Sequence, residues 1–263
     1  MKKWIKRTVI AVLFLVFVGS TGTIGITMWR YKVDEQLYQS IAQQYTAPAE
    51  IPAASGGEQG AGAPQESAPI IVDFDALQGA NPDVVGWIYC EGTVIDYPVL
   101  QGEDNDYYLH HTMDGKYSAA GSIFADAENG KGFQDVNTIL YGHHMKNKSM
   151  FATLSDWFEQ SYYESHPVMW LLTPEQDYKI ILFSGYTTSA KSDTYKYLTG
   201  PGEVLDQYLQ MAVEQSEFKT DVELAEGERY VLLSTCAYMF DNARSVLHGK
   251  LVPVDSVGGK PRK

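Results

Sequence analysis

The sequence predicts a mainly β fold, a closed or nearly closed barrel of eight short strands with short inserted helices, behind one N-terminal membrane-spanning helix. Three observations predict it. Thr8–Trp29 holds no charged residue, about eight short apolar or β-branched runs follow beyond residue 70, and the helical patterns between those runs are few and short. A doubly wound sheet would need a helix after nearly every strand, and this chain lacks them. With 263 residues and a hydrophobic fraction of 44%, the chain can bury a proper core.

The first element is TVIAVLFLVFVGSTGTIGITMW, residues 8–29. As a helix at about 1.5 Å per residue it matches a hydrocarbon layer of roughly 30 Å. Lys2, Lys3, Lys6 and Arg7 precede it, and only Arg30 and Lys32 follow before acids take over. That asymmetry places residues 1–7 in the cytoplasm and the rest of the chain outside, a single-pass arrangement in the cell membrane. A cleavable signal peptide is the competing reading, with Val18-Gly19-Ser20 imitating a cleavage site, but the apolar run continues past it to Met28. Both readings export the body.

Residues 30–69 form a connector. Val33, Leu37, Ile41 and Tyr45 recur every fourth residue, which predicts a short juxtamembrane helix. Thr46–Pro69 is Ala, Pro, Gly and Glu with little to bury, which predicts a flexible tether. Residues 70–256 have globular composition, and residues 257–263 read as a frayed tail.

Within the body the expected strands are Val85–Cys90, Thr93–Val99, Ser122–Ala125, Asn137–Gly142, Val168–Leu172, Tyr178–Ser184, Arg229–Thr235 and Arg244–Val252. The expected helices are Phe74–Gly79, Asp104–His110, Met150–Trp157 and Val204–Ser216. The body is also strongly acidic. Residues 70–263 carry 14 bases and 28 acids, against six and five in residues 1–69. Nucleic acid is excluded as a partner, because phosphate recognition needs clustered Lys and Arg.

The chemistry centres on Cys236. YVLLSTC is an apolar strand that turns polar at its end, where loops open to solvent. Arg244 opens the next strand, so a hairpin would set Cys236 and Arg244 side by side. An Arg there favours a thiolate and can hold an oxyanion formed when that thiolate attacks a carbonyl. NTILYGHHM is a third strand with His at its mouth, so nucleophile, proton carrier and oxyanion partner can converge. Singly, each residue type has a commoner use, as core filler or surface polar group.

Leu233-Ser234-Thr235-Cys236 with Arg244 eight positions on, and Tyr141-Gly142-His143 upstream, resemble the sortases, the transpeptidases of Gram-positive cell surfaces. NPDVVGWI, DNDYYL and the long stretch from Ser184 to Glu228 resemble class B in particular, and the resemblance covers Phe74–Val252. The usual Thr-Leu-x-Thr-Cys pattern appears here as Leu-Leu-Ser-Thr-Cys, a departure in the strand that leaves the nucleophile in place. The resemblance implies an eight-stranded sortase barrel. It also implies attack by Cys236 on the Thr carbonyl of a C-terminal sorting motif in a secreted protein, giving a thioacyl enzyme. An amine of peptidoglycan or its lipid-linked precursor would then take the acyl group, with His143 shuttling the proton and Arg244 holding the oxyanion or the substrate backbone. It favours His143 over His144, and adjacent strand residues do face opposite ways.

Substrate contacts implied by the same resemblance are Asn105, Leu109, Tyr141, Ser234 and Tyr195. Asn105 and Leu109 are expected to share a helix face, and Tyr141 and Ser234 to project with their catalytic neighbours. With ordinary pKa values, only about 1% of molecules at pH 7 would hold both thiolate and imidazolium, which predicts a slow enzyme. No cofactor is expected. His110, His111, His143 and His144 do not make a metal site, since adjacent strand histidines diverge and no carboxylate falls at ligand spacing. A pilin-polymerising sortase with a Lys acceptor is an alternative, disfavoured because no DP-aromatic lid motif precedes Phe74. A catalytically silent binding protein with a Cys90–Cys236 disulfide is another; Cys90 in GWIYC is otherwise expected mid-strand, buried and inert.

Overall fold

The computed structural model describes residues 2–49, 67–225 and 227–255, and the chain divides into two compact units, the first ending at Ile41 and the second beginning at Ala42. The first unit is helical. Helix α1 runs unbroken over Lys2–Tyr45, so the expected membrane segment and juxtamembrane helix are one element. Its apolar stretch is exposed all round, with Phe14 at 64% and Leu15 at 70%, as suits a helix whose surroundings are apolar. The hydroxyls of Thr8, Thr21, Thr23 and Thr27 each donate to a carbonyl one turn back, at 2.8–3.2 Å. Each is therefore satisfied within the helix, the condition for placing hydroxyls in hydrocarbon. By length and composition this helix can cross a membrane.

The second unit begins with a two-stranded ladder, β1 (Thr46–Pro48) against β2 (Ile70–Val72). The two ends of the Thr46–Pro69 segment are thus tied together rather than free, and residues 50–66 lie outside the described residues. Helix α2 (Phe74–Ala80) follows, capped by the Asp73 carboxylate, which accepts from the Ala76 amide.

The barrel is built from β3 (Val84–Tyr89), β4 (Asp96–Leu100), β5 (Ile123–Ala125), β6 (Asn137–Tyr141), β7 (Val168–Leu172), β8 (Asp177–Ser189), β9 (Arg229–Cys236) and β10 (Ala243–Val254). The order around it is β10-β8-β7-β3-β4-β5-β6-β9, closed. Two neighbouring pairs, β4–β5 and β6–β9, are parallel and the other six are antiparallel. The runs NTIL on β6 and YVLLST on β9 are buried on both faces, because a barrel strand covered outside has no solvent side. That cover is helix α5 (Glu203–Gln215), which packs Leu205, Tyr208, Leu209 and Ala212, one face at helical spacing, onto Ile139, Leu232 and Val246.

Several boundaries differ from the sequence expectation for identifiable reasons. Strand β4 begins at Asp96 because the Thr93 hydroxyl donates to the Cys90 carbonyl and accepts from the Ile95 amide, making a turn. Cys90 therefore lies just past the end of β3, not mid-strand. The expected helix Met150–Trp157 is a 3-10 turn over Leu154–Phe158, since Met150 has φ +58° and its amide is held by the Tyr97 hydroxyl. Strand β8 runs five residues beyond the expected Ser184, because β10 pairs with it from Ala243 to Val254. Helix α4 (Gln160–Ser165) was not expected from the sequence; it buries no residue and so shows no apolar stripe.

Candidate active site

The register of three strands assembles the site. Tyr141, Ser234, Val246 and Tyr186 form one cross-strand row over β6, β9, β10 and β8, and Ile139, Leu232, His248 and Ser184 form the row beneath it. Paired residues project from the same face. Helix α5 covers this face over the lower row. One row further up, Cys236 pairs with Arg244, which pairs with Thr188. The Gly142 amide donates to the Ser234 carbonyl at 3.1 Å, the bond that closes the last pair of the parallel β6–β9 ladder, Tyr141 with Ser234. His143 follows two residues beyond Tyr141, as Cys236 lies two beyond Ser234. One row thus reads Cys236, Arg244, Thr188, on the face that α5 covers lower down, with His143 just past the end of the neighbouring strand β6.

Each member is partly open to solvent or close to it. Cys236 and Arg244 are half-buried, and Thr188 is 8% exposed. Arg244 donates through its guanidinium to the neighbouring Ala243 carbonyl at 3.0 Å. The His143 ring meets the Leu109 carbonyl through Nε2 at 2.7 Å, and the His110 ring lies 6.3 Å from it. Burial pushes the His143 pKa below its ordinary 6.5; the Leu109 bond opposes this and His110 adds to it. At pH 7 the imidazolium is therefore scarcer than the roughly 24% of an ordinary histidine. His144 turns the other way, bridging to Met150 and stacking edge-on against Tyr238.

Residues 88–252 match the sortase domain family. The chain belongs to the sortase family. It is 33% identical over 255 residues to sortase B of Listeria monocytogenes, covering 95% of this chain and 98% of that one. The structure is similar to that of a sortase B from Bacillus anthracis in complex with AAEK1 (TM-score 0.69, 33% identity, 86% of this chain and 99% of that one). It is similar as well to a Staphylococcus aureus sortase B–substrate complex (TM-score 0.66, 34% identity, 69% of this chain and 85% of that one). The fold and class expected from the sequence are those observed, and the protein is a sortase, a cysteine transpeptidase.

The sortase brings some of the expected substrate residues together and not others. Tyr195, in a 3-10 turn over Asp193–Tyr195, reaches across to Ser234, with the two hydroxyl oxygens 2.7 Å apart. Burial raises the Tyr195 pKa, its bond to Ser234 and the Arg244 cation oppose this, and Cys236 adds to it, which places the phenol close to the Cys236–Arg244 pair. Tyr141 donates to the Asp126 carboxylate at 2.8 Å. The shared helix face of Asn105 and Leu109 is not observed. The Asp104 carboxylate accepts from the Asp106 and Tyr107 amides, so helix α3 spans only Tyr107–His110 and Asn105 precedes it. Asn105 is exposed and accepts from the Ala127 amide, while Leu109 meets His143 through its main chain. Thr188 and Asp126 were missed, and His110 was weighed only as part of a metal cluster. Thr188 falls in the extension of β8 read as loop, and nothing in the sequence pairs Asp126 with Tyr141.

Both cysteines are free, so the disulfide of the silent-binder alternative is not formed. Burial pushes the Cys90 thiol up to about 11, which keeps it protonated and inert at neutral pH. Among the described residues, no group of three or more His, Cys, Asp or Glu could hold a metal ion.

Beneath the site lies a buried polar chain. His248 Nε2 sits 3.1 Å from the Tyr186 hydroxyl, which sits 3.0 Å from the Thr194 hydroxyl, next to Tyr195. Tyr208 donates to the Thr194 carbonyl at 3.1 Å. This chain holds the turn that carries Tyr195. Complete burial lowers the His248 pKa to about 3. Between that value and the ordinary 6.5 the unfolded chain binds the extra proton, so acid favours unfolding; the stability is full above pH 6.5 and lost as pH falls. Between pH 6.5 and 5 the wild type is expected to lose roughly 1.5 kcal/mol more than His248→Leu, read by urea unfolding at each pH. Equal losses in the two proteins would remove His248 from the acid response.

Proposed function

We propose that this sortase cleaves a C-terminal sorting motif after Thr and transfers the protein to an amine of peptidoglycan or its lipid-linked precursor. The Cys236–Arg244 pair, with His143 just beyond the end of the adjoining strand β6, carries the reading. The Cys236 thiolate attacks the Thr carbonyl carbon, and the Arg244 guanidinium stabilises the oxyanion. The C–N bond breaks, the departing amine takes a proton from His143, and a thioester remains on Cys236. The acceptor amine then attacks the thioester, His143 takes its proton, and the thiolate leaves.

Tyr195, Ser234, Tyr141, Asn105 and Leu109 bind the motif in this scheme. Proximity of Tyr195 to Cys236 and Arg244 supports the first two, and the main-chain role of Leu109 gives its side chain no separate support. The N-terminal helix and its flanking bases support a single-pass protein with residues 1–7 cytoplasmic, residues 8–29 in the membrane and residues 70–256 outside as the catalytic domain. Residues 30–69 then connect the two, and residues 257–263, expected as a tail, lie outside the described residues.

The test uses the full chain in detergent micelles, a library of quenched sorting peptides, and an amine acceptor present or absent. Mass spectrometry should show cleavage after Thr and acceptor-linked product. A library cut elsewhere than after Thr, or a product never linked to acceptor, would overturn the transpeptidase scheme.

A further inference from the structure

The orientation of His143 traces to an unexpected place, a glycine twenty-two residues upstream. Helix α3 has only four residues, so its last carbonyls have no helical partner. Each finds one outside. The Tyr108 carbonyl accepts from the Ser122 amide at 2.9 Å, and the His110 carbonyl from the Ser118 amide at 2.9 Å. The Leu109 carbonyl meets His143 Nε2 at 2.7 Å. A carbonyl oxygen carries no hydrogen, so Nε2 must donate, and in the neutral ring Nδ1 is then the bare nitrogen.

The Leu109 carbonyl can lie there only because of what is packed beneath it. Gly121 is buried, with φ +54°, and a Cβ on it would fall 2.5 Å from the Leu109 oxygen and 2.6 Å from the Tyr108 oxygen. Real Cβ atoms do not approach a carbonyl oxygen so closely, and both oxygens belong to main chain that cannot swing aside like a side-chain tip.

We propose that the Leu109 carbonyl fixes the tautomer of His143, leaving Nδ1 as the nitrogen that takes and gives the proton, and that Gly121 is the positioning residue that makes room for it. In a serine or cysteine triad a carboxylate usually orients the histidine; here a main-chain carbonyl does so. The inference rests on the proposed role of His143 as proton carrier.

The experiment is nitrogen NMR of the full chain in micelles at pH 8, with labelled histidine and His143→Gln to assign the signal. Wild type should show His143 protonated at Nε2 and bare at Nδ1. Gly121→Ala and Gly121→Asn should each give a mixture of tautomers and a fall in kcat of about tenfold, with KM within twofold. Asn tolerates the left-handed backbone, so this variant separates the Cβ contact from strain in φ. A merely structural glycine would lower stability and leave the tautomer unchanged. Wild-type His143 protonated at Nδ1 overturns the proposal, even if neither variant folds. Folded variants with wild-type tautomer and kcat overturn the role of Gly121. The NMR result does not depend on turnover, so a wild type that cleaves no sorting peptide would sink the proposed function separately.

Discussion

Cys236→Ala is expected to abolish peptide cleavage, a loss of at least about a thousandfold. In the proposed scheme the sulfur is the atom that bonds to the substrate, and neither His143 nor Arg244 can replace it. The fold should not notice. Cys236 is the last residue of β9 and half-buried, its Cβ is retained, and its cross-strand partner Arg244 keeps its bond to the Ala243 carbonyl. Stability should change by no more than about 0.5 kcal/mol, as for other substitutions away from a packed core. Chromatographic quantitation of cleaved peptide, with urea unfolding of the same preparation, checks both halves. Arg244→Lys keeps the charge but loses the planar fork, and should cost about a hundredfold in kcat if the guanidinium holds the oxyanion. Turnover by Cys236→Ala near the wild-type rate would remove the thiol from the reaction.

Trp87→Ala is expected to be the most damaging single change to the fold, at about 5 kcal/mol. Trp87 lies on β3 with no exposure, paired with Pro98 and Leu172 on the flanking strands. Truncating a buried aromatic of this size costs about 3–5 kcal/mol in lost transfer and residual cavity. The indole Nε1 also donates to the Asp96 carboxylate at 2.8 Å. Burial already raises the Asp96 pKa against that bond, and losing the donor would strand the carboxylate at a cost of about 1–3 kcal/mol. Total stabilities of about 5–15 kcal/mol leave little margin for such a loss. Trp87→Phe keeps most of the packing and should cost about half as much. Urea unfolding of both variants, crossed with Asp96→Asn, separates ring from hydrogen bond; a loss below about 2 kcal/mol for Trp87→Ala would show that the site collapses around the gap.

Much of this protein was legible because its signals are local. An uncharged stretch from Thr8 to Trp29 can be read without knowing what surrounds it, and the apolar face of α5 follows from spacing alone. The strand that carries Cys236 and the strand that opens on Arg244 were readable because a hairpin is a short-range structure. His143 was placed by its motif alone; the parallel β6–β9 pairing, which sets its strand beside that of Cys236, is a contact across about ninety residues of chain that periodicity cannot see.

The errors have the same origin. Asn105 and Leu109 have helical spacing, but the Asp104 side chain takes the amides that would have started the helix. Met150–Trp157 has an apolar pattern, yet the Tyr97 hydroxyl, fifty-three residues away in sequence, holds the Met150 amide outside a helix. Thr188 became a strand residue only because β10 is long enough to pair with it. Composition, local spacing and motif sufficed for a membrane-length helix, a barrel and a Cys236–Arg244 pair at two strand ends. Which carbonyl holds His143, which tyrosine leans on Ser234 and which glycine must stay bare were decided by tertiary packing, because hydrogen bonds and van der Waals contacts act over a few ångströms of space however far apart the residues lie in sequence.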